Sequence, residues 1–295
     1  MSSLTERSSV VYLLLTFVIF IWGLNFSLVK WAVSEISPLP FNVVRYTLAS
    51  IVILVILLLR KGWRPIPLVD GLKFLGLGIV GHTLYQVLFI RGISLTTAGN
   101  SSLFIATAPI WTGLLSAVLG KDELGRRAWV GTVLGFAGVV LVTLGGSGIN
   151  LSGSGTLGDV LTLVAAVSLA IYTVMSKDLL EKYSPLRLTA VTMSIGSVGL
   201  WLFATPRVIK QNWSAVPVRA WGVLIYSALL AVVLGYLIWF TAVRTVGPSR
   251  TAVFNNMTPI IAFTVAFILL GEPVAPLQVV GGITVLGGIG LTIRN

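Results

Sequence analysis

The single histidine of this sequence, His82, stands in an apolar run with Tyr85, Gln86 and Phe89 at i+3, i+4 and i+7. On a helix those offsets share a face, so the four side chains form one stripe of aromatic surface and hydrogen-bonding groups. Trp22, Asn25, Phe26 and Val29 make a second stripe with similar spacing. Further aromatic residues stand at Phe104, Trp111, Tyr172, Tyr236 and Trp239, and adjacent amides at Asn255 and Asn256. Such groups can hold a small molecule: an apolar pocket with a few placed polar groups is how small ligands are usually bound. They are poorly suited to breaking bonds. With one His, no Cys and no Asp or Glu in the middle of an apolar run, there is no nucleophile–base pair, no carboxylate pair and no metal-ligand cluster. No catalytic residue, metal or cofactor is therefore expected. Gly120-Lys121 is followed by Asp122 rather than Ser or Thr, so it is not a phosphate-binding loop. A membrane-embedded enzyme is disfavoured on the same grounds.

The elements that position these residues are dictated by composition. Of 295 residues, 56% are hydrophobic and 10% are charged, against roughly 25% charged in a soluble domain. Mean hydropathy is +0.99. In a bilayer every backbone polar group must be satisfied internally, which leaves helices or closed barrels. Barrel strands alternate polar and apolar residues, and these runs do not alternate, so they are helices. Charges, prolines and glycines divide the chain into ten runs, near 10–29, 38–59, 71–90, 98–119, 127–144, 156–176, 188–205, 220–243, 249–270 and 277–293. The first run is too long for a secretory signal and lacks a small-x-small cleavage site, so it reads as a retained helix. The sequence thus predicts an all-α polytopic membrane protein with ten transmembrane helices.

The net charge of +11 reflects topology rather than nucleic-acid binding. The N-terminus, the C-terminus and the loops on their side carry 14 Lys and Arg residues; the other loops carry five. Positive residues accumulate in cytoplasmic loops, so both termini are expected in the cytoplasm. The loop at 145–158, without Lys or Arg, suits the outer face. The two halves also match each other. At a shift of 150 residues Phe104 meets Phe254, Pro109-Ile110 meets Pro259-Ile260, Gly131 meets Gly281, Gly138 meets Gly288 and Leu141 meets Leu291. At a shift of 147, Lys30 meets Lys177 and Ser37-Pro38-Leu39 meets Ser184-Pro185-Leu186. Five helices per repeat force the second copy, 148–295, to enter the membrane opposite to the first, 1–147. Inverted repeats of this kind place a solute site near the midplane between the halves.

The motifs and their order carry a family resemblance. They are Trp22-Gly23-Leu24-Asn25-Phe26 in helix 1, Arg45 within Pro40–Tyr46 in helix 2, Pro109 and Pro259 in helices 4 and 9, Gly120…Glu123 and Gly271-Glu272 just beyond them, and glycine-rich helices 5 and 10. The whole chain resembles the drug/metabolite transporter superfamily in its ten-helix EamA-type branch, and within it the bacterial exporters of aromatic and other amino acids. The resemblance implies a basket-like bundle in the bacterial inner membrane. In it helices 1, 3, 4, 6, 8 and 9 line a cavity, 2 and 7 are peripheral, and 5 and 10 stack behind. It also implies amino acids or related metabolites as cargo, moved by alternating access without ATP. Drugs and nucleotide sugars are the alternatives within the superfamily; a monomer and a homodimer both accord with it.

Each candidate residue has a plainer alternative. His82 could line the cavity or bond across to a neighbouring helix. Trp22 could line it or anchor at the membrane interface. Asn25 and Asn256 suit a solute headgroup or an interhelical bond. Phe104, Trp111, Tyr172, Tyr236 and Trp239 suit cavity walls or ordinary packing. Pro109 and Pro259 are expected to act as a matched pair of hinges, each freeing a backbone carbonyl. Asp159 is read as capping the start of helix 6. Arg45 could snorkel, bond backbone carbonyls or meet a substrate carboxylate; the peripheral position that the resemblance gives helix 2 favours a structural role. Without mid-helix carboxylates, transport down the solute gradient is expected, with His82 the one plausible proton carrier.

Overall fold

The computed structural model describes residues 2–60, 65–96, 98–120, 125–145, 154–261, 264 and 275–293, and among them there is no strand. The apolar runs become α1 (Ser2–Glu35), α2 (Pro38–Leu59), α3 (Leu68–Leu95), α4 (Ala98–Ile105 and Ala108–Val118), α5 (Arg126–Gly145), α6 (Ser154–Lys182), α7 (Pro185–Lys210), α8 (Val218–Val246), α9 (from Pro248) and α10 (Pro276–Ile293). Among the described residues, α1, α2, α3, α4, α6, α7 and α8 are long and apolar enough to cross a membrane, seven in all. The expected repeat boundary at 147, Glu123 and the Gly271-Glu272 pair lie outside the described residues.

Several elements depart from the sequence expectation. The α1 helix runs well past its apolar core of 10–29, because nothing breaks it until Ser37, which the following proline holds extended at φ −51°, ψ 140°. The α6 helix starts at Ser154, two residues before the expected start at 156. Asp159 then lies inside the helix rather than at its first residue, and accepts a hydrogen bond from Thr96 Oγ1 at 2.7 Å. Lys30, counted as a loop cation, instead donates from Nζ to the carbonyls of Ile93, Ser94 and Thr96 at 2.8, 3.2 and 2.6 Å. It therefore satisfies the carbonyls at the C-terminal end of α3, where a cation is favoured.

Two helices leave α-geometry within the span. Residues Ile79–Leu84 of α3 and Ser227–Leu234 of α8 are π-helical. The Tyr85 amide reaches back five residues to Val80 O, and the Gly235 amide to Leu230 O. These segments start 148 residues apart, so they are matched by the internal repeat. The expected proline hinges take a related form. The α4 helix breaks at Ala106-Thr107, leaving Pro109 in the first turn of the piece beyond the break, where its missing N–H costs no hydrogen bond. The α9 helix narrows to a 3-10 turn over Val253–Met257, just before Pro259. In both halves the irregular segment precedes the proline.

The packing relates the halves through their glycines. A Cβ on Gly131 would come within 2.5 Å of Gly288 O, and one on Gly138 within 2.7 Å of Gly281 O. Position rises along α5 as it falls along α10, so the two helices run antiparallel in close backbone contact. Shifting by 150 turns one contact into the other: 131 becomes 281 and 288 becomes 138. The second pair, α2 with α7, is antiparallel too: Trp201 Nε1 donates to Thr47 Oγ1 and Ser50 Oγ to Met193 O. We expect Gly138→Val to lower the melting temperature in detergent by several degrees, because backbone on α10 cannot yield. Gly282→Val, whose Cβ would meet nothing within 4 Å, is expected to leave it unchanged. Equal melting curves for the two variants would contradict the antiparallel glycine contact.

Candidate functional site

Between the halves lies a cavity whose empty space, counted with the open region at its mouth, is about 560 Å³. Its walls come from both repeats. From α1 come Trp22, Asn25 and Phe26; from α3 come Tyr85, Gln86 and Phe89. The α8 helix gives Ala231, Val232 and Tyr236, and α9 gives Asn255 and Thr258. Ile105 of α4 and Leu169 of α6 complete the apolar part, and Arg45 reaches in from α2. The peripheral role expected for helix 2 is corrected by this one long side chain.

The π segments set several of these positions. Tyr85 and Gln86 come directly after the π segment of α3, and Tyr236 stands just past that of α8, to which Ala231 and Val232 belong. A π turn holds more residues than an α turn and rotates the residues beyond it around the helix axis. Trp22 Nε1 donates to Ala231 O at 2.8 Å, and the Trp22 ring lies 5.2 Å from Trp239 and 6.3 Å from Tyr236. This fixes Trp22 inside the bundle rather than as an interfacial anchor. Phe26 meets Phe89 edge-on at 5.5 Å, and Phe89 stacks on Tyr85 at 5.8 Å. The result is an aromatic wall made of two groups of contacting rings, the geometry in which ring pairs add to apolar burial.

The polar groups are few and partly unpartnered. Arg45, 2% exposed, donates from one terminal nitrogen to Asn42 Oδ1 at 2.5 Å and Gln86 Oε1 at 2.6 Å, and from the other to Ser227 Oγ at 3.0 Å. Among the described residues, Arg45 Nε, Asn25 Oδ1, Asn255 Nδ2 and Thr258 Oγ1 are buried without a hydrogen-bond partner. All four residues line the cavity. Leaving such an atom unmet costs about 1–3 kcal/mol, so four around one space mark where a polar solute would find partners. Among the described residues, the lining holds no Asp or Glu.

Other residues singled out from the sequence fall outside the lining. His82 is completely buried; its Nε2 shares hydrogen bonds with Tyr172 Oη at 2.9 Å and Thr192 Oγ1 at 3.2 Å, and those two lie 2.7 Å apart. A Cβ at Gly196 of α7 would collide with the Cβ of His82, so the two helices approach closely there. His82 and Tyr172 thus form a latch joining α3, α6 and α7, the plainer of the two roles weighed for the histidine. Trp239 packs behind Trp22 and donates to Thr173 Oγ1 at 3.3 Å. Trp111 donates to Thr107 Oγ1 at 3.2 Å across the break in α4. Phe104 offers its carbonyl to Thr107 at 2.6 Å, while its neighbour Ile105 faces the cavity. Asn256 is buried against Gly135 of α5, and the adjacent Asn255 takes the cavity position. Pro109 and Pro259 are buried outside the lining. Sequence reasoning undervalued Arg45; a lone charge within an apolar run, with no acid near it in sequence, was the available signal. It also passed over Thr258, Ile105 and Leu169.

We expect Tyr172→Phe to destabilise the folded protein by about 1–3 kcal/mol, because its hydroxyl takes part in two buried hydrogen bonds, while changing solute affinity less than twofold. A matched melting curve and binding titration check this. A large affinity loss at unchanged stability would move Tyr172 into the binding wall.

Comparison with known proteins agrees with the fold and with the repeat. The EamA-like transporter family matches twice, over residues 9–144 and 156–294. The uncharacterized transporter YyaM of Bacillus subtilis is 30% identical over 290 residues, covering 96% of this chain and 93% of its own. An uncharacterized transporter of Archaeoglobus fulgidus is 30% identical over 286 residues, covering 96% and 99%. A protein of Streptantibioticus cattleyicolor named as a probable terminal-alkyne amino-acid exporter is 30% identical over 218 residues, 74% of this chain and 71% of that protein. A solved crystal structure superposes with a TM-score of 0.77 at 16% identity, covering 97% of both chains, a likeness of fold alone. Matched in both halves and along nearly the full length of its relatives, the chain belongs to the EamA-like transporter family and is a multi-pass membrane transporter.

Proposed function

We propose that this transporter exports amino acids with apolar or aromatic side chains, or closely similar metabolites, across the bacterial inner membrane by alternating access. The observation that carries the reading is the cavity between the halves: an aromatic wall of Trp22, Phe26, Tyr85, Phe89 and Tyr236 faces unpartnered polar atoms of Asn25, Asn255 and Thr258. An aromatic side chain suits the wall, and an amino-acid headgroup suits the amides and hydroxyl. The relative named as an amino-acid exporter supports the same class of cargo.

The full proposal is ten spans in two inverted five-helix repeats, with both termini in the cytoplasm. The antiparallel contact of α5 with α10 and the matched π segments support it. Movement between inward-open and outward-open states would use the irregular segments of α3, α4, α8 and α9, where backbone hydrogen bonding already departs from the α pattern. With no carboxylate among the described lining residues and His82 buried in its latch, we propose transport driven by the solute gradient alone.

The test is counterflow in proteoliposomes. Vesicles loaded with unlabelled phenylalanine should accumulate labelled phenylalanine, at a rate unaltered by an imposed pH gradient. Strict dependence on that gradient, abolished in His82→Ala, would overturn the uncoupled mechanism. Absence of amino-acid exchange alongside transport of hydrophobic cations would overturn the cargo class.

A further inference from the structure

We infer that Arg45 is the anion anchor of the cavity, and that the solute is selected by its carboxylate rather than by its ammonium group. The inference rests on the reading of the cavity as the solute site. A guanidinium stays protonated in proteins and presents five N–H donors in a rigid fork that matches a carboxylate. Arg45 lies within a span, is almost entirely buried and lines the cavity. Among the described residues, everything it touches is neutral: Asn42, Gln86 and Ser227 accept its hydrogen bonds, and the rings of Phe41 and Tyr46 lie 5.5 Å away. Its Nε–H has no acceptor among the described residues. The buried Asp70 is already held by Lys182 and Tyr183. Neutral partners satisfy hydrogen bonds without balancing charge. A charged side chain inside a membrane bundle is expensive and marks ion or solute pathways.

A purely structural arginine would need neither the cavity position nor the unbalanced charge, and a neutral amide could tie the same three helices. The converse asymmetry sharpens the inference. An ammonium group entering this cavity meets no carboxylate among the described lining residues; it finds neutral oxygens, those of Asn25 and Thr258 among them, and the faces of aromatic rings. Bound solute charge therefore matters in one direction. A monoanion neutralises the site, a zwitterion leaves one positive charge, and an amine raises it to two. The class this favours is the monocarboxylate with an apolar or aromatic tail, with or without an α-ammonium.

The experiment uses the full-length protein in proteoliposomes, with phenylalanine, 3-phenylpropionate, phenyllactate and phenethylamine as competitors in counterflow. The same compounds are tested as thermal stabilisers in detergent. For the unmodified protein, both carboxylates lacking the ammonium should compete within about tenfold of phenylalanine, and phenethylamine should not compete. Arg45→Gln should weaken every carboxylate by about 30-fold or more, the loss typical of removing one partner of a buried charge pair, and should abolish discrimination against the amine. Arg45→Lys keeps the charge and loses the fork, so it should weaken carboxylates less and still exclude the amine. If Arg45→Gln does not assemble, the lysine variant and the unmodified protein's own competition profile decide. Exchange of phenylalanine with equal competition by phenethylamine would overturn the inference and leave the amino-acid reading standing. Uptake of 3-phenylpropionate but not phenylalanine would do the reverse. No stabilisation or exchange by any carboxylate would overturn both.

Discussion

A guanidinium carried into the middle of a membrane bundle must be hydrogen-bonded by whatever surrounds it, and three helices are arranged around that requirement. The α2 helix brings Arg45 together with Asn42 one turn earlier, α3 brings Gln86, and α8 brings Ser227 at the first residue of its π segment. Asn42 in turn donates from its amide to Gln86 O at 3.2 Å, closing the arrangement between α2 and α3. The first repeat is thereby fastened to the second at the depth where the cavity lies. Gln86, Tyr85 and Tyr236 take their places beside that junction, and the aromatic wall builds outward from them.

The backbone irregularities fall where the cavity needs them. A regular α3 would aim the residues after position 84 around a different arc of the helix. A regular α8 would do the same to Tyr236. Elsewhere the helices are locked. Gly92 of α3 and Gly158 of α6 allow close approach near one end of the bundle, and Lys30 holds the end of α3 in place. Near the other end, Asp70 of α3 is tied to Lys182 and Tyr183 at the end of α6 at 3.1 and 2.8 Å. The deviation from regular geometry in α3 lies between these fixed points, which is where a bundle can change shape without unthreading its contacts.

Much of the fold was legible in the residues. Charge punctuation and prolines located the helices, the matched Gly131/Gly281 and Gly138/Gly288 pairs marked the repeat, and the family resemblance implied the stacking of α5 on α10. The π segments were not legible, because Ile79–Leu84 and Ser227–Leu234 have the same apolar composition as the α-helix on either side. Of the candidate site, Trp22, Asn25, Tyr85, Gln86 and Tyr236 line the cavity. His82, Tyr172 and Trp239 do not, because a polar or aromatic residue on an interior face serves equally well to hold two helices together. Spacing gives the face of a helix but not which neighbour the face meets. That ambiguity also separated Asn255 from Asn256: the 3-10 turn at Val253–Met257 advances each residue further around the axis than an α-helix would. Arg45 was discounted for the position of its helix, although its side chain is long enough to cross the space its backbone does not reach.

The glycine contact has a consequence for how such a chain can be assembled. Gly131 meets Gly288 while Gly281, its counterpart, meets Gly138, the counterpart of Gly288. In an isologous interface one surface patch is complementary to itself under a two-fold rotation, and this contact obeys that rule within a single polypeptide. The face of α5 that meets α10 already contains both halves of the lock. Joining the repeats in one chain therefore supplies no new complementarity at this seam. It fixes the stoichiometry and frees the two copies to diverge elsewhere, as they have at Arg45, whose counterpart at the repeat shift of 147 is an uncharged threonine, Thr192.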